Sequence, residues 1–187
     1  LRLAQRLNLP MTREIVLVLG LFCGFNLRYA ATAYLLRKLG IRPSEVARLE
    51  YRGGPWPGGF RVITNDGREG FIPKHHYTYL NLIYAPEGCW YCPDLTAEYA
   101  DISVGDYWAA EARAQSMVIG RTCVGQQLLT DAVARQELDL TAIDYEDVLA
   151  SHRHLLSYKK KGVQVRRRFS GIGPVTGYPL PTISAKD

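Results

Sequence analysis

Two cysteines three positions apart, Cys89 and Cys92, open the stretch over residues 89–108, CWYCPDLTAEYADISVGDYW. The pair constrains the fold because two thiolates at that spacing grip one centre only if a loop presents both from the same side. Pro93 then turns the chain into a short apolar run over residues 100–104, an expected strand with acids near both ends, Asp101 and Asp106. A strand that served only the core would have no need of those acids. We read the stretch as a redox-centre loop feeding a cofactor-facing strand.

The rest of the chain supplies alternating elements. Residues 14–22, EIVLVLGLF, form a continuous β-branched-rich apolar run, expected as a buried strand. Helical spacing of Ala31, Leu35 and Leu39 predicts a helix over residues 27–39, ended by Gly40, with Ser44 capping a single turn. Residues 51–60 carry four glycines and two prolines, a shaped loop. Asp66-Gly67 between two apolar runs predicts a β-hairpin. Residues 75–84 read as a helix and 116–120 as a strand. A helix is expected over residues 126–136, a further strand over 138–143, and an amphipathic helix over 144–158 with His152, Leu155 and Leu156 on its apolar face. The fold class is therefore mixed α/β (α+β): a mixed sheet with one β-hairpin, flanking helices, a long C-terminal helix and an irregular tail. A domain over residues 1–158 precedes a basic, Pro/Gly-rich tail over 159–187.

At 187 residues, with 47% hydrophobic and 22% charged residues, the chain can bury one core and is no disordered segment. No apolar run approaches the roughly 20 residues of a membrane-spanning helix. No secretion signal is evident, so the expected location is cytoplasmic. The sequence starts without Met inside an apparent helix over residues 1–9, which reads as a fragment. The net charge of +5 is concentrated in residues 159–161 and 166–168. Those runs are either a solvated helix face or a surface for an anionic partner.

In a cytoplasmic chain, Cys89 and Cys92 with a distant Cys23 read as a metal or cluster site, because soft sulfur suits iron or zinc. Cys23, beside Gly24 at the end of the first strand, is the natural third ligand. The same set accommodates a structural zinc completed by His75 or His76. Cys123 lies in Arg121-Thr122-Cys123-Val124-Gly125 ahead of a helix. That junction is either a cradle for phosphate or flavin pyrophosphate, or an ordinary strand–helix turn capped by Thr122. No Ser-His-Asp or paired-carboxylate arrangement is present, so no catalytic side chain is assigned.

Five motifs then occur in a fixed order: Gly20-Leu21-Phe22-Cys23-Gly24, the run from Tyr51 through Gly58, Cys89-x-x-Cys92-x-Asp94, Ala100 through Asp106, and Val118-Ile119-x-Arg121-Thr122-x-x-Gly125. Together they resemble the coenzyme F420 hydrogenase/dehydrogenase beta-subunit family in its C-terminal domain. The resemblance implies an iron–sulfur flavoprotein oxidoreductase that passes electrons between a 4Fe–4S cluster, FAD and a redox partner, with coenzyme F420 as a substrate in some relatives. It implies Cys23, Cys89 and Cys92 as cluster ligands, with a further cysteine from an N-terminal region of the same polypeptide. Asp101, Ser103, Gly105, Asp106, Arg121, Thr122 and Gly125 would lie near the flavin. The expected partner is a hydrogenase, dehydrogenase or ferredoxin-like protein or subunit; nucleic acid is not expected, and the fragment alone is expected to be inactive. The contrasting reading is a zinc-stabilised, non-enzymatic binding module whose basic tail contacts nucleic acid.

Overall fold

A computed structural model describes residues 9–108 and 114–171. The chain folds as two compact units, one formed by Leu1–Gly24 with Pro93–Asp187, the other by Phe25–Cys92. The second unit is thus an insertion in the first.

The first unit is built on a three-stranded sheet of order β1-β5-β6, with β1 Leu19–Leu21, β5 Ile102–Asp106 and β6 Ser116–Gly120. β1 runs parallel to β5, with Leu19 opposite Ile102, and β5 runs antiparallel to β6, with Ser103 opposite Ile119. A parallel pair needs a crossover connection, and here the whole inserted unit supplies it. The expected buried strand over 14–22 shrinks to three residues at a sheet edge, and Leu19 and Leu21 are 67% and 77% exposed. Among the described residues only one side of β1 has a strand partner, which is why the apolar run does not extend as a central strand would.

The inserted unit pairs β2 Val46–Gly53, β3 Gly59–Thr64 and β4 Glu69–Pro73 as an antiparallel sheet. Phe60, Val62 and Thr64 alternate inward along β3, the period-two pattern of a strand with one buried face. Helix α1 Tyr29–Lys38 buries Ala31, Leu35 and Leu36 in the same core as Phe60, Val62, Ile72 and Leu80. Tyr51 meets Phe60 edge to face at 5.2 Å, and the Tyr77 hydroxyl donates to the Tyr51 carbonyl (2.7 Å), so this aromatic group has its polar end satisfied. The β3–β4 hairpin turns at Asp66-Gly67 as expected, and Arg61 grips Glu69 across it with two hydrogen bonds of 2.7 and 2.9 Å. In the glycine-rich loop, Arg52 lies over the Trp56 ring at 5.2 Å and its Nε–H donates to the Pro57 carbonyl (3.0 Å).

Several local expectations change. The turn over Pro43–Glu45 is closed by Glu45, whose carboxylate accepts from the Arg42 N–H (2.7 Å); Ser44 lies inside the turn instead of capping it. Residues 75–84 form a 3₁₀ turn, Lys74–His76, and a short helix α2, Leu80–Ile83, because Tyr77 and Leu80 both turn into the core. No strand forms over 138–143, where Leu138, Leu140 and Ile143 are exposed and no strand among the described residues offers a ladder. Helix α3 Glu87–Tyr91 carries the cysteine pair, and α4 Cys123–Ala134 starts earlier than its apolar spacing suggested. The final helix, α5 Tyr145–Ser170, passes from residue 158 to 159 without interruption and ends at Gly171 in the left-handed conformation. The strands therefore fall into two small sheets, within the expected mixed α/β class. The expected helix over 1–9 and the tail beyond Gly171 lie outside the described residues.

Candidate functional site

The cysteine pair is set by one helical turn. Pro86 starts α3, the Cys89 N–H donates to the Pro86 carbonyl (2.9 Å), and Cys92 ends the helix in extended conformation. Three residues of helical rise bring both side chains to the same side of the turn. Both are half-buried, and none of the four cysteines forms a disulfide. Trp90, between Cys89 and Cys92 in sequence, is itself 37% exposed. The same unit holds His75 and His76, whose rings meet at 4.2 Å and face solvent. Among the described residues of this unit no three His, Cys, Asp or Glu side chains gather as a metal would require.

Cys23 belongs to the first unit and is exposed; its N–H donates to the Leu95 carbonyl at 2.7 Å. Cys123, also exposed, is the first residue of α4.

The seven residues expected near a flavin fall into two groups along β5. At its start, the Asp101 carboxylate accepts from the Thr122 hydroxyl and from the Val18 N–H, each at 2.7 Å. Those donors, Thr122 foremost, hold Asp101 below the usual carboxylate range. Thr122 also caps α4, accepting from the Gly125 N–H at 3.2 Å. The Arg121 N–H donates to the Asp101 carbonyl (2.8 Å), and a Cβ on Gly125 would come within 2.8 Å of that carbonyl carbon. Only glycine lets α4 approach β5 this closely. The Arg121 guanidinium donates to the hydroxyl of fully buried Ser103 and, at 2.8 Å, to that of Thr96. Burial lowers its pKa, with the Glu98 and Asp94 charges opposing that shift. The side chains of Asp101, Ser103, Arg121 and Thr122 are thus engaged with one another and with the chain around them.

Gly105 and Asp106 lie at the other end of β5. A Cβ on Gly105 would run into the Phe22 ring. The Asp106 carbonyl accepts from His152 Nε2–H (3.0 Å), and the His152 ring meets Phe22 edge-on at 5.3 Å. His152 is buried, its Nδ1 has no hydrogen-bond partner among the described residues, and desolvation lowers its pKa. Sequence reasoning placed His152 on the apolar face of the last helix but gave it no role. It missed Thr96 and Glu98, and met Lys160 only as part of the basic run 159–161. Lys160 on α5 pairs with Glu98, both about four-fifths buried, across a sequence gap that no local spacing reveals.

Comparison with known proteins agrees with the resemblance. A family model for the C terminus of the coenzyme F420 hydrogenase/dehydrogenase beta subunit matches residues 1–146. The chain is 30% identical over 121 residues to the coenzyme F420 hydrogenase subunit beta of Methanothermobacter thermautotrophicus, covering 64% of this chain and 39% of that protein. It is 26% identical over 161 residues to the F subunit of the F(420)H(2) dehydrogenase of Methanosarcina mazei, covering 85% of this chain and 43% of that protein. A chain of the F420-reducing [NiFe] hydrogenase complex from Methanosarcina barkeri matches structurally with a TM-score of 0.58 and 25% identity, over 90% of this chain and 57% of that one. The chain therefore spans about two fifths of the length of the two curated subunits it matches. No helix among the described residues is long and apolar enough to cross a membrane. With the family model covering well over half of the chain, this protein belongs to the coenzyme F420 hydrogenase/dehydrogenase beta-subunit family, through its C-terminal domain.

Proposed function

We propose that the chain is part of an oxidoreductase subunit in which Cys23, Cys89 and Cys92 ligate a 4Fe–4S cluster, with the fourth ligand supplied from outside the described residues. The observation that carries this reading is the pair Cys89 and Cys92, two half-buried thiols outside any disulfide, one inside a single helical turn and the other at its end. Two sulfur ligands from one turn suit the soft-donor demand of iron. Cys23 enters the set as the third ligand that the family resemblance implies. Main-chain N–H groups of α3 and the neighbouring Trp90 and Tyr91 would moderate the charge and hydration of such a centre.

A cluster passes single electrons, whereas FAD exchanges two as a hydride, so the two together would join a one-electron partner to a hydride carrier such as coenzyme F420. The partner in this reading is a redox subunit of hydrogenase, dehydrogenase or ferredoxin-like type, consistent with the named roles of the relatives. Side chains at the β5–α4 junction fit FAD poorly. Thr122 already closes the start of α4, and ionised Asp101 stands beside it, where a pyrophosphate would have to sit. Any flavin contact here would use main-chain atoms.

The test is anaerobic purification with iron and sulfide analysis. We expect a brown protein with broad absorption in the blue, and Cys89→Ser should abolish the iron while the protein stays folded. A colourless, iron-free protein after anaerobic reconstitution would remove the reading.

A further inference from the structure

The geometry points to Lys160, on α5 and beyond the span matched by the family model, as a positioning residue that fixes the main chain of Cys23. Its relevance to electron transfer rests on the cluster reading above, but the contact itself does not. The segment after Pro93 folds into a tight turn in which the Asp94 carboxylate accepts from the Glu98 N–H (3.2 and 3.3 Å). Within that turn Ala97 adopts a φ of 52°, a left-handed conformation that a residue with a Cβ holds only when its surroundings impose it. Leu95 is buried at 2% exposure, and its carbonyl receives the Cys23 N–H.

The residues on either side of strained Ala97 are the ones that are gripped. Thr96 accepts from Arg121, and Glu98 pairs with Lys160. The turn is therefore clamped from the β6–α4 junction and from α5, and its inner face presents Leu95 to Cys23. Without Lys160, Glu98 keeps a four-fifths-buried carboxylate, and its charge also acts on Arg121. Drawing Arg121 toward Glu98 releases Thr96, so the second clamp weakens with the first. The turn is then free to relax at Ala97, and the Leu95 carbonyl moves off the Cys23 N–H.

Amide hydrogen exchange on the metal-free chain tests this directly. Lys160→Met keeps the aliphatic stem and removes the charge. It should speed exchange at the Cys23 amide by about tenfold while leaving the β5–β6 ladder amides unchanged. Lys160→Arg should restore the slow rate, and Glu98→Gln should reproduce the fast one. Unchanged exchange at Cys23 in both charge-removing variants overturns the proposal. So does an equal acceleration at the β5–β6 ladder, which reports general loosening. Iron content is measured separately, so a failure of the cluster reading leaves the exchange result intact.

Discussion

Gly125→Ala is the substitution whose sign the structure decides. Position 125 lies in the first turn of α4, where alanine would ordinarily favour the helix by up to about 1 kcal/mol over glycine. Here the added Cβ would sit 2.8 Å from the Asp101 carbonyl carbon and 3.0 Å from Ile102 Cγ1, and closer still to the Asp101 carbonyl oxygen. Restoring ordinary contact demands that β5 and α4 part by at least about 0.6 Å, and close-packed interiors resist such shifts. The separation stretches the Arg121 N–H to Asp101 carbonyl bond and the Thr122–Asp101 bond together, both of which join the same two elements. Overpacking of this kind costs about 1–3 kcal/mol, so after the full propensity gain the net loss is about 1 kcal/mol from the middle of that range and about 2 kcal/mol from its upper end. For a chain of this length that is a fall in melting temperature of roughly 2–8 °C, read by thermal circular dichroism and by a lower urea midpoint at constant slope. Gly88→Ala in α3 is the matched control, since a Cβ there meets nothing within 4 Å; it should leave stability equal or raise it by up to about 1 kcal/mol. If Gly125→Ala melted at or above the parent temperature, α4 would not press on β5 as described, and the account of the junction would fail.

Two pH dependences follow from groups at opposite ends of β5. Asp101 is held below its ordinary range by Thr122 and Val18, so the stability it contributes is present above the unfolded carboxylate value near 4 and is lost as pH falls through its folded value. Asp101→Asn should flatten the acid limb of a stability–pH curve, and an unchanged limb would show that the carboxylate is not engaged. His152 is held neutral by burial, so its contribution is complete above the unfolded histidine value near 6.5 and declines as pH falls from there through its lowered folded value. His152→Gln should remove that decline in denaturant titrations at pH 5 to 7; a parent protein equally stable across that interval would contradict a buried, neutral imidazole.

What could be read from the sequence was mainly local. Asp66-Gly67 specifies its own hairpin, and the apolar run 116–120 coincides with β6 residue for residue, because turn chemistry and strand propensity act over a few positions. The run at 14–22 looked equally convincing, yet its fate depended on having a second strand neighbour, which no local pattern encodes. Residues 138–143 failed for the same reason. At the site, Asp101, Arg121 and Thr122 were singled out from motif order, and the structure does bring them together. The groups that engage them, Val18 and Thr96, could not be read from the sequence, because they come from segments whose approach is decided by tertiary packing. Glu98 and Lys160 lie 62 positions apart and belong to no motif, so only the fold could pair them.

The acid at the start of β5 shows how a residue of functional appearance can be required by architecture. β1 offers only three residues of ladder, too few to hold a parallel edge strand firmly by themselves. The Asp101 carboxylate extends that pairing by taking the Val18 N–H one position before the strand begins, while its other oxygen takes the hydroxyl that caps α4. One side chain thus ties the edge strand, the central strand and the helix start. An ionised carboxylate is better suited to this than a neutral amide, because both partners are donors and charge-assisted bonds are the stronger kind. The same negative charge occupies the positive end of the α4 dipole, so the helix start has little left to offer an anionic group. The Cys23 amide, bonded to the Leu95 carbonyl, is the place where the architecture of the first unit bears on one of the thiols.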